Sequence, residues 1–148
     1  AAATTASTAP AAAELQGGSE TILLVEDEPA VNALAARILR RAGYTVLTAT
    51  SGADALDTLR SADGRVDLLL TDVMMPGMSG PELAGLATAA YPRVAVLFTS
   101  GYADADVMRS GVNGRNFLNK PYTLEQLTTS VRSVLDQRPA RSTAGART

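Results

Sequence analysis

The sequence predicts an α/β fold built on a doubly wound sheet of five parallel strands, with five helices covering its two faces. Short apolar runs alternate with amphipathic segments, and this alternation is typical of parallel strands joined by crossover helices. Residues 68–70 are all leucine, as expected of a strand that is buried on both faces. At 148 residues, 46% of them hydrophobic, the chain has the size and composition of one domain.

The five predicted strands span residues 21–25, 44–48, 66–71, 93–98 and 115–119. Right-handed crossovers place the first and third strands side by side, at the point where the winding direction reverses. Ligands of open α/β sheets bind at this point, in the crevice outside the carboxyl ends of the strands. We therefore expect the functional residues to lie at the ends of these strands.

The helices are predicted from apolar spacing and from residues that favour helix ends. The first begins near Pro29 and ends at Gly43, with a core face made of Val31, Leu34, Ala35, Ile38 and Leu39. The second begins after Ser51 and buries Ala55, Leu56 and Leu59, the third spans residues 81–90, and the fourth spans 103–110 with a weak pattern. The fifth begins with a capping box of Thr123 and Gln126, and its apolar stripe is Leu124, Leu127, Val131, Val134 and Leu135.

Both ends of the chain differ in composition from the region between them. Residues 1–19 begin with a tract of Ala, Thr and Ser, and residues 138–148 are small or polar without apolar periodicity. Such segments bury too little apolar surface to become ordered. We therefore expect a flexible linker at 1–19, one domain at 20–137 and a flexible tail at 138–148.

The composition excludes several classes of function. The chain has no histidine and no cysteine, which rules out imidazole and thiol catalysis and the usual zinc sites. Its 13 basic and 15 acidic side chains give a net charge of -2, which does not favour a nucleic acid partner. No apolar stretch approaches the roughly 20 residues that span a bilayer. We expect no nucleic acid partner, no membrane contact by this segment and a cytoplasmic location.

Polar side chains lie at the carboxyl ends of four predicted strands. They are Glu26, Asp27 and Glu28 after the first strand, Asp72 after the third, Ser100 near the end of the fourth and Lys120 after the fifth. Close carboxylates repel each other unless a cation lies between them, and Mg²⁺ prefers oxygen ligands and retains waters for a phosphate. The sequence therefore predicts a site for a divalent cation and a phosphoryl group.

In this site Asp72 is the predicted nucleophile towards phosphorus, Lys120 supplies positive charge to the phosphoryl oxygens and Ser100 donates a hydrogen bond to one of them. The alternative is that each acid caps the helix that follows it. Capping accounts for single acids, but it does not account for polar residues at four strand ends of one sheet.

These residues resemble the motifs of the receiver domain of two-component response regulators, a phosphoacceptor module that takes a phosphoryl group from a histidine kinase or phosphotransfer protein. The resemblance covers about residues 20–137 and implies a flavodoxin-like three-layer sandwich. It rests on the acidic pair Glu26 and Asp27, on residues 72–80 beginning with Asp72, on the hydroxyl of Ser100 with Thr99 as a competing candidate, and on Lys120 with Pro121.

The resemblance also implies roles that the residue pattern alone does not give. The metal ligands would be Asp27, Asp72 and the backbone carbonyl of Met74, with Glu26 acting largely through water. Phosphorylation would move Ser100 and Phe117 and switch the face formed by the fourth helix, fifth strand and fifth helix. The peptide bond that precedes Pro121 is typically cis in the family, whereas base rates alone favour trans.

The chain is most similar to receivers attached to hybrid sensor histidine kinases, because Ser100 begins the string Ser-Gly-Tyr-Ala. We expect a receiver from such a longer protein, and a free-standing regulator is the alternative. The expected role is that of a switch and not of an enzyme, with self-phosphorylation and slow autodephosphorylation.

Two other functions of a similar fold fit the residues less well. A phosphatase of the haloacid dehalogenase type would need a second acid at the position of Met74. A flavin carrier would bind a phosphate at the loop after the first strand, where Glu26, Asp27 and Glu28 would repel it.

Overall fold

The computed structural model of the chain describes residues 17–100, 117–120 and 122–137. The strands in these residues are β1 (Thr21–Val25), β2 (Thr45–Ala49), β3 (Leu68–Asp72), β4 (Ala95–Ser100) and β5 (Phe117–Asn119). The helices are α1 (Pro29–Arg41), α2 (Gly52–Ser61), α3 (Gly80–Ala90) and α4 (Leu124–Gln137). The helix predicted at 103–110 and the peptide bond of Pro121 lie outside the described residues, so α4 is the helix predicted as the fifth.

The strands form one parallel sheet in the order β2-β1-β3-β4-β5. β1 lies next to β3, and the chain winds outward from this pair in both directions, as predicted. In the register of the sheet, Val25 lies beside Thr71, and Asp72 lies beside Thr99. The residues that follow β1 and the last residue of β3 therefore start from adjacent positions at the carboxyl edge.

Two hydrophobic clusters cover the two faces of the sheet. Leu68 and Leu70 contribute to a cluster that contains residues of α1 and α4, whereas Leu69 contributes to a cluster that contains residues of α2 and α3. Because successive side chains of a strand point to opposite faces, three consecutive leucines are needed to fill both clusters. The result is a three-layer sandwich, and the predicted doubly wound α/β fold is confirmed.

The predicted helix ends are confirmed by the backbone and by capping hydrogen bonds. Gly43 follows the C-cap of α1 with a φ of 104°, a conformation that favours glycine, and the N–H of Tyr44 donates to the carbonyl of Leu39 at 3.2 Å. At the start of α4, the backbone N–H of Gln126 donates to Oγ1 of Thr123 at 3.0 Å, and the backbone N–H of Thr123 donates to Oε1 of Gln126 at 2.8 Å.

None of the helices in the described residues is long and apolar enough to cross a membrane.

Two predicted core residues are wrong. Leu34 is 57% exposed because the buried face of α1 is formed by Asn32, Ala35, Ala36 and Leu39, and Leu34 lies outside this face. Leu124 is 43% exposed because it is the first residue of α4, beyond the edge of the core. The predicted ranges of the third and fourth strands also begin two residues too early.

Candidate functional site

Three carboxylates from the ends of two neighbouring strands meet at the carboxyl edge of the sheet. Glu26 and Asp27 follow β1, and Asp72 is the last residue of β3. Each offers one oxygen atom, and these oxygen atoms all lie within 4.8 Å of one another. Glu26 and Asp72 are buried, whereas Asp27 is partly exposed. The parallel pairing of β1 with β3 places these acids together, as the sequence predicts.

Lys120 extends into the same cluster from the end of β5. Its Nζ atom lies 3.1 Å from Oε1 of Glu26 and 3.1 Å from Oδ2 of Asp72. Its backbone N–H donates to the carbonyl of Ser100 at 2.8 Å, which fixes the start of the side chain beside β4. The sequence predicts that Lys120 lies in the site, and the structure adds that its ammonium group bridges Glu26 and Asp72.

Two of the three charged groups of this bridge, Glu26 and Lys120, have shifted pKa values. Burial raises the pKa of the Glu26 carboxyl above its ordinary 4.5, and the hydrogen bond and charge of Lys120 offset this increase in part. Burial by itself would lower the pKa of Lys120, but its hydrogen bonds to Glu26 and Asp72 outweigh burial and raise that pKa above 10.5. The ammonium group therefore remains charged at neutral pH, between two carboxyl groups.

The raised pKa of Glu26 predicts a pH dependence of stability. Between the unfolded pKa near 4.5 and the raised folded pKa, the folded state binds more protons than the unfolded state, so the free energy of unfolding falls as pH rises through this window. Glu26→Gln cannot titrate and should flatten this part of the profile. Urea unfolding in EDTA across the window, wild type against Glu26→Gln, measures the difference, and parallel profiles would contradict the prediction.

The two candidate hydroxyl residues at the end of β4 are both buried. Ser100 is 1% exposed, and its hydroxyl donates to Oδ1 of Asn119 at 3.5 Å. Thr99 is 4% exposed and lies beside Asp72 in the sheet register. The choice of Ser100 over Thr99 as the hydroxyl that responds to a phosphoryl group stays a prediction.

Phe117, the predicted switch aromatic, is partly buried at the start of β5. Its ring stacks on that of Phe98, with centroids 5.4 Å apart and an interplanar angle of 28°. Phe98 lies two residues before Ser100 on β4 and pairs with Phe117 in the sheet register. The stacked rings therefore link the start of β5 to β4 two residues before Ser100.

The capping alternative does not describe the acids of the site. The N-cap residue of α1 is Glu28, whose side chain makes no capping hydrogen bond. The N-cap residue of α3 is Ser79, which forms a capping box with Glu82. Asp27 and Asp72 occupy neither position, so the two acids are not the caps of the helices that follow them.

The loop between β3 and α3 packs closely on the backbone of Asp72. The N–H of Gly80 donates to the carbonyl of Val73 at 2.8 Å, and a Cβ atom at Gly80 would collide with the carbonyl oxygen of Asp72. Gly77 adopts a φ of 83° in the same loop. Met75 is buried, whereas Met74 is 52% exposed beside the site. Gly77 is therefore a turn residue of this loop, whereas Gly80 is the first residue of α3.

Asn32 is a residue of this region that the sequence prediction missed. It lies in α1 and is buried, and its side chain amide donates to the carbonyl oxygens of Glu26 at 3.2 Å and of Ala49 at 3.1 Å. The available signal was a polar residue placed three positions before the core residue Ala35. Such spacing puts an amide on the buried face of a helix, where it requires hydrogen bond partners.

The acidic cluster fits one hard divalent cation. Oxygen ligands of an octahedral Mg²⁺ ion, at about 2.0–2.1 Å from the metal, lie about 3–4 Å from one another. The oxygens of Glu26, Asp27 and Asp72 all lie within 4.8 Å of one another, so small movements would let them surround one ion, directly or through its bound waters. Carboxylates are the ligand type that Mg²⁺ prefers, and the cluster has the charge to hold it.

A family model and two relatives that match this chain indicate one family. A family model for the response regulator receiver domain matches residues 22–132. The sensor kinase CckA of Brucella abortus (strain 2308) is 42% identical over 122 residues, which are 81% of this chain and 13% of the kinase. The response regulator receiver protein CpdR of the same organism is 34% identical over 120 residues, covering 77% of this chain and 95% of that protein.

Solved structures agree with this family. The crystal structure of the receiver domain from hybrid histidine kinase CckA superposes with a TM-score of 0.66 at 39% identity, over 78% of this chain and 98% of that chain. The response regulator receiver protein from Sinorhizobium medicae WSM419 superposes with a TM-score of 0.72 at 31% identity, over 82% of this chain and 98% of that chain. The chain therefore belongs to the response regulator receiver domain family of two-component and phosphorelay systems.

Proposed function

We propose that Asp72 of this receiver domain accepts a phosphoryl group from a phosphohistidine of a histidine kinase or a histidine phosphotransfer domain. Receiver domains are phosphoacceptor switch domains, and in this chain we assign the acceptor role to Asp72. The observation that carries it is the convergence of Asp72 with Glu26, Asp27 and the Nζ atom of Lys120 at one edge of the sheet. A carboxylate that lies between acids and a fixed cation has the surroundings that phosphoryl transfer requires.

In the proposed step, a carboxylate oxygen of Asp72 forms a bond to phosphorus as the bond from phosphorus to the histidine nitrogen breaks. The electron pair of the broken bond returns to the imidazole, which takes up a proton from solvent. Lys120, already 3.1 Å from Asp72, can donate hydrogen bonds to the incoming phosphoryl oxygens. We assign the hydroxyl of Ser100 the role of a second donor, and water would later hydrolyse the acyl phosphate slowly.

The metal ligands in this proposal are Asp27, Asp72 and the backbone carbonyl of Met74, with Glu26 binding through water. Bound Mg²⁺ would neutralise the acids and the charge on the transferring phosphoryl group. The exposed side chain of Met74 is compatible with a role for its carbonyl alone, since the side chain lies away from the core.

We also propose that the functional domain is residues 20–137 and that it acts in the cytoplasm.

A small phosphodonor such as an acyl phosphate tests the function without knowledge of the cognate kinase. Incubated with donor and Mg²⁺, the wild-type chain should gain the mass of one phosphoryl group, and EDTA should prevent the gain. Intact mass spectrometry reads both conditions. If the chain gains no phosphoryl group from any of several donors, it is a receiver domain that does not accept phosphoryl groups, and the proposal is wrong.

Asp27→Ala should weaken Mg²⁺ binding by about tenfold or more, since one of few protein ligands is removed from a hard cation. Isothermal titration calorimetry measures the affinity. The matched control is Asp63→Ala, which removes an acid from the turn after α2, before the amino end of β3 and so at the edge of the sheet opposite the site. An Asp27→Ala chain that binds Mg²⁺ as tightly as the wild type would place the metal elsewhere.

The switch surface is tested with beryllofluoride, a stable mimic of the phosphoryl group on a carboxylate. We expect larger amide chemical shift changes at Ser100 and Phe117 than along α2, because the stacked rings of Phe117 and Phe98 connect β5 to the end of β4. Asp72→Asn should remove these changes. Shifts confined to the loops that follow β1 and β3 would mean that the signal does not travel through β4 and β5.

A further inference from the structure

The amide of Asn32 connects three segments beside the acidic cluster. Its Nδ2 atom donates to the carbonyl oxygen of Glu26 at 3.2 Å and to the carbonyl oxygen of Ala49, the last residue of β2, at 3.1 Å. The same Ala49 carbonyl also accepts from the backbone N–H of Glu26 at 3.1 Å. Asn32 is 8% exposed, so these bonds form away from bulk water. One side chain of α1 therefore ties the end of β1 to the end of β2.

These hydrogen bonds of Asn32 take the place of the side chain hydrogen bond that usually caps the start of a helix. The N-cap residue Glu28 makes no side chain capping hydrogen bond to α1, and its N–H instead donates to Oε2 of Glu26 at 3.2 Å. The turn of residues 26–28 is thus positioned from within α1, by Asn32, and not by a capping side chain. Because Glu26 and Asp27 belong to this turn, the direction of their carboxylates depends on how the turn is held.

We infer that Asn32 is a positioning residue for cation binding, which holds the turn so that the carboxylates of Glu26 and Asp27 converge on Asp72. The inference rests on the proposed function, since it takes these three acids as the cation site. The physical reason is that repelling carboxylates separate unless the backbone that carries them is fixed. Hydrogen bonds that orient metal ligands commonly act in this way, although they do not touch the metal.

Asn32→Leu tests the inference, because leucine has the same branched arrangement of heavy atoms as asparagine but donates no hydrogen bond. We expect Mg²⁺ affinity, measured by calorimetry, to fall by about tenfold to 100-fold, the usual effect of losing a partner that orients a ligand. In two-dimensional NMR spectra, the amide signals of Glu26 and Asp27 should move before any metal is added. Asn32→Ser retains one hydrogen bond donor and should therefore lose less Mg²⁺ affinity. This variant replaces Asn32→Leu in the test if the leucine variant does not fold.

The matched control is Arg40→Met in the same helix. Arg40 donates from Nη2 to the carbonyl of Val46 at 2.9 Å, so it also ties α1 to β2, but two turns further from the acids. Both variants should lower the melting temperature, and Asn32→Leu alone should weaken Mg²⁺ binding. If the two variants bind Mg²⁺ equally well, or if Asn32→Leu binds like the wild type, Asn32 has a structural role and no positioning role.

Failure of the inference can be distinguished from failure of the proposed function. If wild type binds Mg²⁺ and Asp27→Ala does not, the site is correct, and the Asn32 variants then decide the inference alone. If wild type and Asp27→Ala bind Mg²⁺ equally, the proposed site is wrong and the inference falls with it.

Discussion

Replacing Asp72 with asparagine should abolish the mass gain from a small phosphodonor in the presence of Mg²⁺. The amide of asparagine is a poor nucleophile, whereas the carboxylate can attack phosphorus once a cation neutralises its neighbours. The substitution changes the size of the side chain little, so the buried position at the end of β3 should keep its packing. Intact mass spectrometry after a fixed incubation measures the loss, and circular dichroism verifies that the variant folds.

The matched control is Asp67→Asn, in the segment that leads into β3. Asp67 is also a buried carboxylate, 6% exposed, but it lies at the opposite edge of the sheet, where its Oδ2 accepts from the N–H of Thr21 at 2.8 Å. Asparagine can still accept this hydrogen bond. The control should gain one phosphoryl group as the wild type does. Full phosphorylation of Asp72→Asn would move the acceptor to another residue and would overturn the proposed role of Asp72.

The location of the site could be predicted from the sequence because parallel strands impose it. All strands of this parallel sheet have their carboxyl ends at the same edge. Once the strand order is known, this edge must bring together the acids that follow β1, the acid at the end of β3 and the lysine that follows β5. The order itself follows from right-handed crossovers and from the alternation of strands with helices. Asp72 and Lys120 could therefore be placed together although 48 residues separate them along the chain.

Side chain orientation could not be predicted in the same way. Leu34 fits the apolar spacing of α1, but the helix packs on the sheet through Asn32, Ala35, Ala36 and Leu39, which leaves Leu34 in solvent. The bridge from Lys120 to Glu26 crosses two intervening strands, so it depends on the twist of the sheet and on the reach of a long side chain. The buried amide of Asn32 has a visible spacing, but its partners are backbone carbonyls that no sequence pattern marks.

Lys120→Met should destabilise the chain in EDTA and make its stability depend more strongly on Mg²⁺. Methionine retains the apolar stem but removes the charge that lies between the carboxylates of Glu26 and Asp72, whose side chains are 4% and 9% exposed. Breaking a buried ion pair on one side costs about 3–5 kcal/mol, and the 24% exposure of the Lys120 side chain reduces the expected loss to about 2–3 kcal/mol. Urea unfolding at neutral pH measures this loss.

Added Mg²⁺ should then restore more stability to Lys120→Met than it adds to the wild type, because the cation binds beside acids that no longer have an ammonium partner. The matched control is Arg132→Met, which removes a cation paired with Glu20 at 2.7 Å in a contact between α4 and the residue before β1. That variant should also lose stability, yet its gain from Mg²⁺ should equal that of the wild type. Equal gains in all three chains would show that Lys120 does not neutralise the acids of the cation site, and the ion pairs at 3.1 Å would then have a packing role alone.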